Sequence, residues 1–452
     1  MNHIYILKVF KITFLSLFLI LGFIVLFSSE AFSQDDAAVA FDTVGVEDMV
    51  IENTTAGEFT PGKGFTVFKS GLASLNLSVY GLARYINQID DDNKFLDHLD
   101  REKTIDTRQD LMWHRTFLWV SGHFFTPKLR YTISIWGLVT TNQTLVFGNL
   151  QYALMRQINF GVGIGPNLGC RSMQGAWPYF LSSDRLMTEE FFRAGFTSGF
   201  WVNGEVLPNF YYNVMVGNNL SQLGTTVSQL TRDLATSASI WWMPTTGEFG
   251  YRGANGDFDI HEKIATRFGA SFVHARDDRQ NSVGEPSPNN TQVKISDGLL
   301  FYETGALANG VTVKKADFNL LAIDAGIKHN GWHIQAEYFF RRLSKFDAVG
   351  PSPELEGIPT SISDNGFYAL VSYEAIPKAL QVYAATSQIF DQFKRNPWEV
   401  VGGMSYYPSG TRSWRINLHA IYMEKSAMSG SFGFYLAGIT GMSLVLGTDF
   451  LL

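Results

Sequence analysis

Apolar and polar residues alternate with a period of two along most of the chain. In WVNGEVLPNFYYNVMVG (201–217), two alternating runs flank the tripeptide LPN, as in two strands joined by a turn. The alternation recurs in LNLSVYGLARY (75–85), WHIQAEYFFR (332–341) and WRINLHAIY (414–422). A period of two sends successive side chains to opposite faces of a strand. The pattern therefore predicts an all-β fold.

Short and long connections alternate between the predicted strands. The short connections are 126–128, 155–157, 207–209, 329–331, 377–379 and 409–412. The long connections are 88–110, 166–194, 275–316 and 343–364. With about sixteen strands from residue 67, the short turns fall on one side and the long loops on the other, apart from a longer turn at 244–261. This arrangement is typical of a transmembrane up-and-down antiparallel β-barrel with its short turns in the periplasm.

One face of nearly every predicted strand is apolar, with tyrosine or tryptophan near the strand ends. The other face carries arginine, lysine, glutamate, asparagine and glutamine. A soluble sandwich would need a core on that second face, so we expect the apolar face to contact lipid and the charged face to line the lumen. The predicted pore-lining residues are Arg84, Arg130, Lys263, Arg267, Lys328, Glu337, Arg341 and Arg415.

The N-terminus has the features of a secretory signal peptide. Lys8 and Lys11 precede an apolar run, and Ala31 and Ser33 fit the small-residue cleavage rule. An uncleaved helical anchor is the alternative. We expect residues 1–33 to be the signal peptide, 34–65 an N-terminal linker and 66–452 the barrel.

The 30-residue segment PNLGCRSMQGAWPYFLSSDRLMTEEFFRAG (166–195) forms the third loop, which is long and rich in aromatic residues. SSDRLMTEEFF predicts a short helix capped by serine and aspartate oxygens. The aromatic residues of the loop need a surface to pack against, and the barrel wall offers one. We therefore expect this loop to fold into the lumen and narrow it. The predicted constriction residues are Arg171, Asp184, Arg185, Glu189, Glu190 and Arg193.

Composition and charge narrow the possible partners and cofactors. The formal net charge of −7 argues against nucleic acid. The single cysteine, Cys170, excludes an internal disulfide and any paired-cysteine metal or redox motif. Acidic residues at 90–100 and DFDIHE (257–262) could hold a cation, but a solvated loop and a turn explain them more simply. We expect no metal and no cofactor.

Three segments resemble one family of bacterial outer-membrane porins, the phosphate-selective porin O and P family. They are SMQGAWPYFLSSDRLMTEEFFR (172–193), FWVNGEVLPNFYYNVMVGNNLSQLG (200–224) and YAATSQIF (383–390). The resemblance covers roughly residues 60–452 and implies a sixteen-stranded barrel, a homotrimer and a third loop folded into the lumen. Anion-selective members line the pore with arginine and lysine. The third loop here has three arginines beside three carboxylates, so we expect weak anion preference.

These observations predict an outer-membrane porin that forms a water-filled channel for passive diffusion. Its expected partners are outer-membrane lipid and small hydrophilic solutes or anions. One alternative is a barrel enzyme, a protease or phospholipase, which would need an acid–base set or nucleophile that the sequence does not show. Another is a structural or adhesive barrel, against which the charged inner face argues.

Overall fold

The computed structural model describes residues 55–138, 143–218, 220, 233–278, 293–428 and 435–452. The predicted signal peptide and most of the predicted linker lie outside the described residues. The strands are β1 (Phe65–Lys69), β2 (Ser74–Asp90), β3 (Lys94–Leu96), β4 (Glu102–Thr104), β5 (Gln109–Phe124), β6 (Thr126–Leu138), β7 (Gln143–Met155), β8 (Ile158–Pro166), β9 (Phe196–Leu207), β10 (Phe210–Gly217), β11 (Ala235–Trp242), β12 (Ala265–Asp278), β13 (Thr312–His329), β14 (Trp332–Val349), β15 (Ser361–Ile376), β16 (Leu380–Phe390), β17 (Trp398–Tyr406), β18 (Trp414–Glu424) and β19 (Gly441–Leu451).

Strand pairing closes the sheet into a barrel. From β5 to β19, each strand pairs antiparallel with the next one in the chain, and β2 pairs with both β19 and β5. In the described chain, β2 and β5 to β19 thus form a closed barrel of sixteen strands, and the predicted fold class is confirmed. No helix among the described residues is long and apolar enough to cross a membrane.

Two-residue turns join strands at one end of the barrel. His329 pairs with Trp332 across Asn330-Gly331, where φ is 47° and 83°. Positive φ at both central positions matches the twist of the flanking strands and favours this Asn-Gly sequence. The predicted short turn here is confirmed.

The two faces of each barrel strand have different surroundings. Along β14, alternate side chains from Trp332 to Phe340 are exposed on the outside, while those from His333 to Arg341 are buried on the inside. The outer face is apolar, and the tilted rings of Trp332 and Tyr373 have centroids 4.7 Å apart near the turn end. An apolar band with aromatic residues at its edge matches the lipid-facing surface of transmembrane barrels.

The N-terminal part of the described chain does not simply lead into the barrel. β1 pairs with Ser74–Leu77 of β2, directly beyond the point where Leu452 pairs with Val79. Before β1, a 3₁₀ helix at Gly57–Phe59 lies inside the barrel mouth, where Phe59 is only 6% exposed. The predicted linker therefore ends in a segment that packs against the inner wall.

Candidate functional site

The third loop, 167–195, folds into the lumen as predicted. Wall side chains hold its main chain: the Arg415 guanidinium donates to the carbonyl oxygen of Phe180, and Asn417 Nδ2 donates to that of Leu181 at 2.8 Å. On the opposite wall, the Ser239 hydroxyl donates to the carbonyl oxygen of Leu168. The loop thus spans the barrel interior and is fixed on both sides.

The loop contains a helix, α1 (Met187–Phe192), that begins later than the sequence suggested. Its first amide groups donate to the wall, from Met187 to Glu399 Oε1 at 2.6 Å and from Thr188 to the Ser387 hydroxyl at 3.4 Å. Glu189 Oε2 accepts from the Leu186 amide at 3.1 Å. The predicted serine and aspartate caps are wrong, because acceptors on β16, β17 and within the helix satisfy these amide groups instead.

The predicted constriction charges of this loop are engaged in specific contacts. Their ion pairs are Arg115–Asp184, Arg185–Glu58 and Arg193–Glu190. Arg171 donates its main-chain amide to Glu337 Oε1 at 2.8 Å and its guanidinium to the carbonyl oxygen of Gly253. The charges of Asp184, Arg185, Glu190 and Arg193 are therefore compensated by ion-pair partners, whereas the Arg171 guanidinium contacts a main-chain carbonyl oxygen.

Burial and neighbouring charges shift the pKa values of two of these loop groups. Burial raises the pKa of Glu189 to about 7, although the Leu186 amide and Arg185 act in the opposite direction. Burial lowers the pKa of the Arg185 guanidinium, but Glu58, Glu190 and Asp184 together raise it well above its ordinary value. Arg185 therefore stays charged, whereas burial disfavours the charged form of Glu189.

Most of the predicted pore-lining residues lie on the inner face of the wall but beneath other protein. Arg84, Lys328 and Arg415 are each 1% exposed. The ion pairs along the wall are Arg267–Asp324, Arg341–Asp364 and Arg415–Asp449. At this level, the wall is covered by folded loops, whereas a water-filled pore would leave these groups exposed.

Of the remaining predicted pore-lining residues, all but Lys263 also lie on the inner face of the wall. Glu337 and Arg341 are buried on the inner face of β14, and Arg130 lies on the inner face of β6. Lys263 is exposed and lies two residues before β12, in the connection from β11. The structure corrects the predicted position of Lys263 on the lumen wall, because the strand alternation starts only at Ala265.

The connection between β11 and β12, 243–264, also folds into the barrel and meets the third loop. Arg252, with φ of 57°, donates through Nε to the carbonyl oxygen of Trp177 at 3.2 Å. In return, the Ala176 amide donates to the carbonyl oxygen of Arg252 at 2.9 Å. Lys328 Nζ donates to the carbonyl oxygens of Phe249 and Ala254, both at 2.7 Å. We call 243–264 the inward turn.

The barrel is similar to solved outer-membrane proteins at low sequence identity. No protein-family model matches the chain, and no curated protein matches it. The outer-membrane expressed OmpT of Vibrio cholerae has a TM-score of 0.52 and 11% identity, over 85% of this chain and 99% of that one. Its trimer form has a TM-score of 0.51 and 10% identity, over 84% and 99% of the two chains.

The fold is that of a bacterial outer-membrane β-barrel. An anion-selective porin from Comamonas acidovorans also aligns, with a TM-score of 0.47 and 9% identity, over 84% of this chain and all 100% of that one. Identities this low concern the fold alone. Membership of the porin O and P family stays a prediction.

The inward turn of this outer-membrane barrel contains a buried histidine between two carboxylates. His261 Nε2 lies 2.8 Å from Glu248 Oε1, and Nδ1 contacts Asp257. Hydrogen bonds to Asp257 and Glu248 raise the pKa of His261 to about 9. Within the described ranges, His, Cys, Asp and Glu side chains form no group of three or more that could hold a metal ion.

We expect the inward turn to loosen at alkaline pH. Because the folded-state pKa of His261 lies above its ordinary value of about 6.5, its stabilisation is complete below that pH and is lost as the pH rises through about 9. The thermal unfolding temperatures of wild type and His261→Gln, followed by gel mobility, should differ at pH 6 and converge at pH 10. A difference that does not change with pH would contradict this assignment.

Several residues of the site could not be recognised from the alternation. Arg115 is missed because the register between β2 and β5 shifts by one residue, so that both His114 and Arg115 are buried on the inside. Such a bulge re-aims side chains without any signature in a period-two pattern. Arg252 and Glu58 are missed because neither lies on a strand.

Proposed function

We propose that this outer-membrane barrel is a channel for small hydrophilic solutes and ions, and not an enzyme. The observation that carries the proposal is the charged inner wall, which holds its loops through ion pairs and contacts to main-chain carbonyl oxygens. Burying charges costs more than burying apolar side chains of the same volume, so a barrel of purely structural role would be better served by an apolar core. A wall of charged and polar side chains suits the passage of water and hydrophilic solutes through the barrel.

We further propose a weak preference for anions. Three cations near the inward turn, unlike the paired arginines of the wall, donate to main-chain carbonyl oxygens. They are Arg171, Arg252 and Arg412. Carbonyl dipoles do not cancel a full positive charge, so these groups should bias the field at the turn end of the lumen towards anions.

The proposed assembly is a homotrimer. The trimer form of the Vibrio cholerae protein supports it, as does the family resemblance of the third-loop segment. Cross-linking of the detergent-extracted protein should give a product of three chains.

Single-channel recording in a planar bilayer tests the proposed function. With a tenfold potassium chloride gradient, we expect discrete current steps and a reversal potential displaced slightly towards that of chloride. Assays of lipid and peptide hydrolysis should show no turnover. A heat-modifiable, inserted barrel that gives no current, or one that hydrolyses either substrate, would contradict the proposal.

We expect Arg412→Gln to shift the reversal potential towards potassium, because it removes one of the three cations near the inward turn. The shift should be larger at low ionic strength, where screening is weaker. Arg156→Gln is the matched control, since its side chain is 68% exposed and pairs with Glu205 beside a short turn. Equal shifts in both variants would mean that the inward turn does not set selectivity.

A further inference from the structure

The N-terminal plug, which we define as residues 55–61, occupies the lumen between the wall, the third loop and the inward turn. It contributes no strand to the barrel and contains only the short 3₁₀ helix Gly57–Phe59. Its contacts reach all three of the surrounding parts.

The ring of Phe59 fills an aromatic pocket on the inner wall. Its centroid lies 5.3 Å from that of Trp136, 5.5 Å from that of Phe147 and 5.4 Å from that of Phe196. All three rings are inclined to that of Phe59, a favourable arrangement for aromatic pairs. The pocket belongs to β6, β7 and β9, so it is rigid and independent of the plug.

The carboxylate of Glu58 lies in a cationic site on the third loop. Glu58 Oε1 accepts from Arg185 Nη2 at 2.7 Å, and Arg185 Nε donates to the Ser172 hydroxyl at 3.0 Å. On the wall, Trp119 Nε1 donates to the main-chain oxygen of Glu58 at 3.3 Å. The arginine is thus oriented by the loop itself and presents one donor to the plug.

The inward turn forms hydrogen bonds with the backbone of the plug. Arg252 donates to the carbonyl oxygens of Gly57, Thr60 and Pro61 at 2.8–2.9 Å. Burial lowers the pKa of Arg252, and these contacts are to carbonyl dipoles. These hydrogen bonds from Arg252 therefore depend on the backbone geometry of the plug and not on the side chains of Glu58 and Phe59.

We propose that the lumen contains a binding site for a carboxylate next to an aromatic ring, filled in this structure by the chain's own Glu58 and Phe59. This inference rests on the proposed channel function. The N-terminal plug is then a tethered ligand that closes the channel, and a free solute of the same chemistry competes with it.

The way the plug is attached fits this role. It joins β1 through Pro61-Gly62-Lys63-Gly64, in which Gly64 has φ of 58°, a conformation that favours glycine. A ligand on a tether of only a few residues has an effective concentration of about millimolar or more. We therefore expect free competitors to act at millimolar concentrations.

The first test compares Phe59→Ala with Phe65→Ala in the full-length protein. Phe65 is the matched control, because it is an N-terminal phenylalanine that is 58% exposed on β1, outside the lumen. In single-channel recordings, we expect Phe59→Ala to raise the mean current at least several-fold, whereas Phe65→Ala should behave as wild type. Glu58→Gln should have an intermediate effect, because it keeps the ring and loses the ion pair.

The second test restores the ligand from outside. A variant lacking residues 34–61 should conduct more than wild type, and a synthetic peptide of sequence TAGEFTP at millimolar concentration should block it. The peptide TAGQATP should not block. Equal block by both peptides, or unchanged currents in the deletion variant and Phe59→Ala, would overturn the site.

The outcomes separate this inference from the channel proposal. If wild type and all variants insert as heat-modifiable barrels but none conducts, the channel function itself fails. If all conduct equally, the channel function stands and the tethered ligand is refuted. Should the deletion variant not assemble, Phe59→Ala and Glu58→Gln decide the question alone.

Discussion

Replacing Arg415 with methionine should lower the free energy of unfolding by about 3–5 kcal/mol, the cost of leaving a buried charge uncompensated. Arg415 and Asp449 face each other across β18 and β19, with two contacts at 2.9 Å, and Arg415 also holds the third loop at Phe180. Removing the guanidinium leaves the Asp449 carboxylate without its ion-pair partner and removes the hydrogen bond to the third loop. Urea titration of the protein in lipid vesicles, followed by gel mobility, measures the change.

Two controls show whether the isolated charge is the cause. The double variant Arg415→Met with Asp449→Leu should recover part of the lost stability, because it removes the carboxylate as well. Lys94→Met breaks the Lys94–Glu102 pair, which is exposed on both sides, and should cost far less than Arg415→Met. A double variant as unstable as Arg415→Met alone would assign the effect to lost loop contacts.

Ala336→Arg should impair barrel assembly by about 2–4 kcal/mol, the cost of an arginine near the bilayer midplane. Ala336 faces outwards midway between Trp332 and Phe340, and the next outward residue beyond Phe340 is Arg342. Those positions mark the limits of the apolar band on β14. The folded fraction after refolding into vesicles measures the effect.

Ala336→Leu is the matched control for size, and it should refold as well as wild type because lipid accommodates the larger side chain. Arg342→Ala should likewise have little effect, since the native arginine lies at the edge of the band. Normal assembly of Ala336→Arg would mean that this face does not contact the hydrocarbon core.

The sequence predicts the barrel well because each wall strand separates the apolar outer surface from the polar interior. Successive residues therefore alternate between apolar and polar side chains. The Asn330-Gly331 turn is equally visible, since its backbone conformation restricts the residues allowed there. The third loop was predicted inside the lumen because its aromatic residues require a surface. Each of these inferences uses information local to one segment.

The candidate site was predicted less completely because its contacts join segments far apart in the chain. The start of α1 depends on Glu399 and Ser387, which no pattern around residue 187 reveals. The place of Glu58 depends on Arg185, on a loop formed more than a hundred residues later. Lys263 shows a different error. The alternation in the sequence continues upstream of Ala265, the first residue of β12, so it suggests a wall position for a residue of the preceding turn.

The seam of the barrel has a consequence for the order of biogenesis. β2 is the first wall strand in the chain and β19 is the last. The backbone groups on one edge of β2 therefore stay unpaired until β19 is in place. Pairings of such long sequence separation form slowly. Because β1 joins the N-terminal plug to β2, the plug emerges before any wall exists to receive it. The barrel must therefore either close around its own N-terminus or admit it afterwards through the periplasmic mouth.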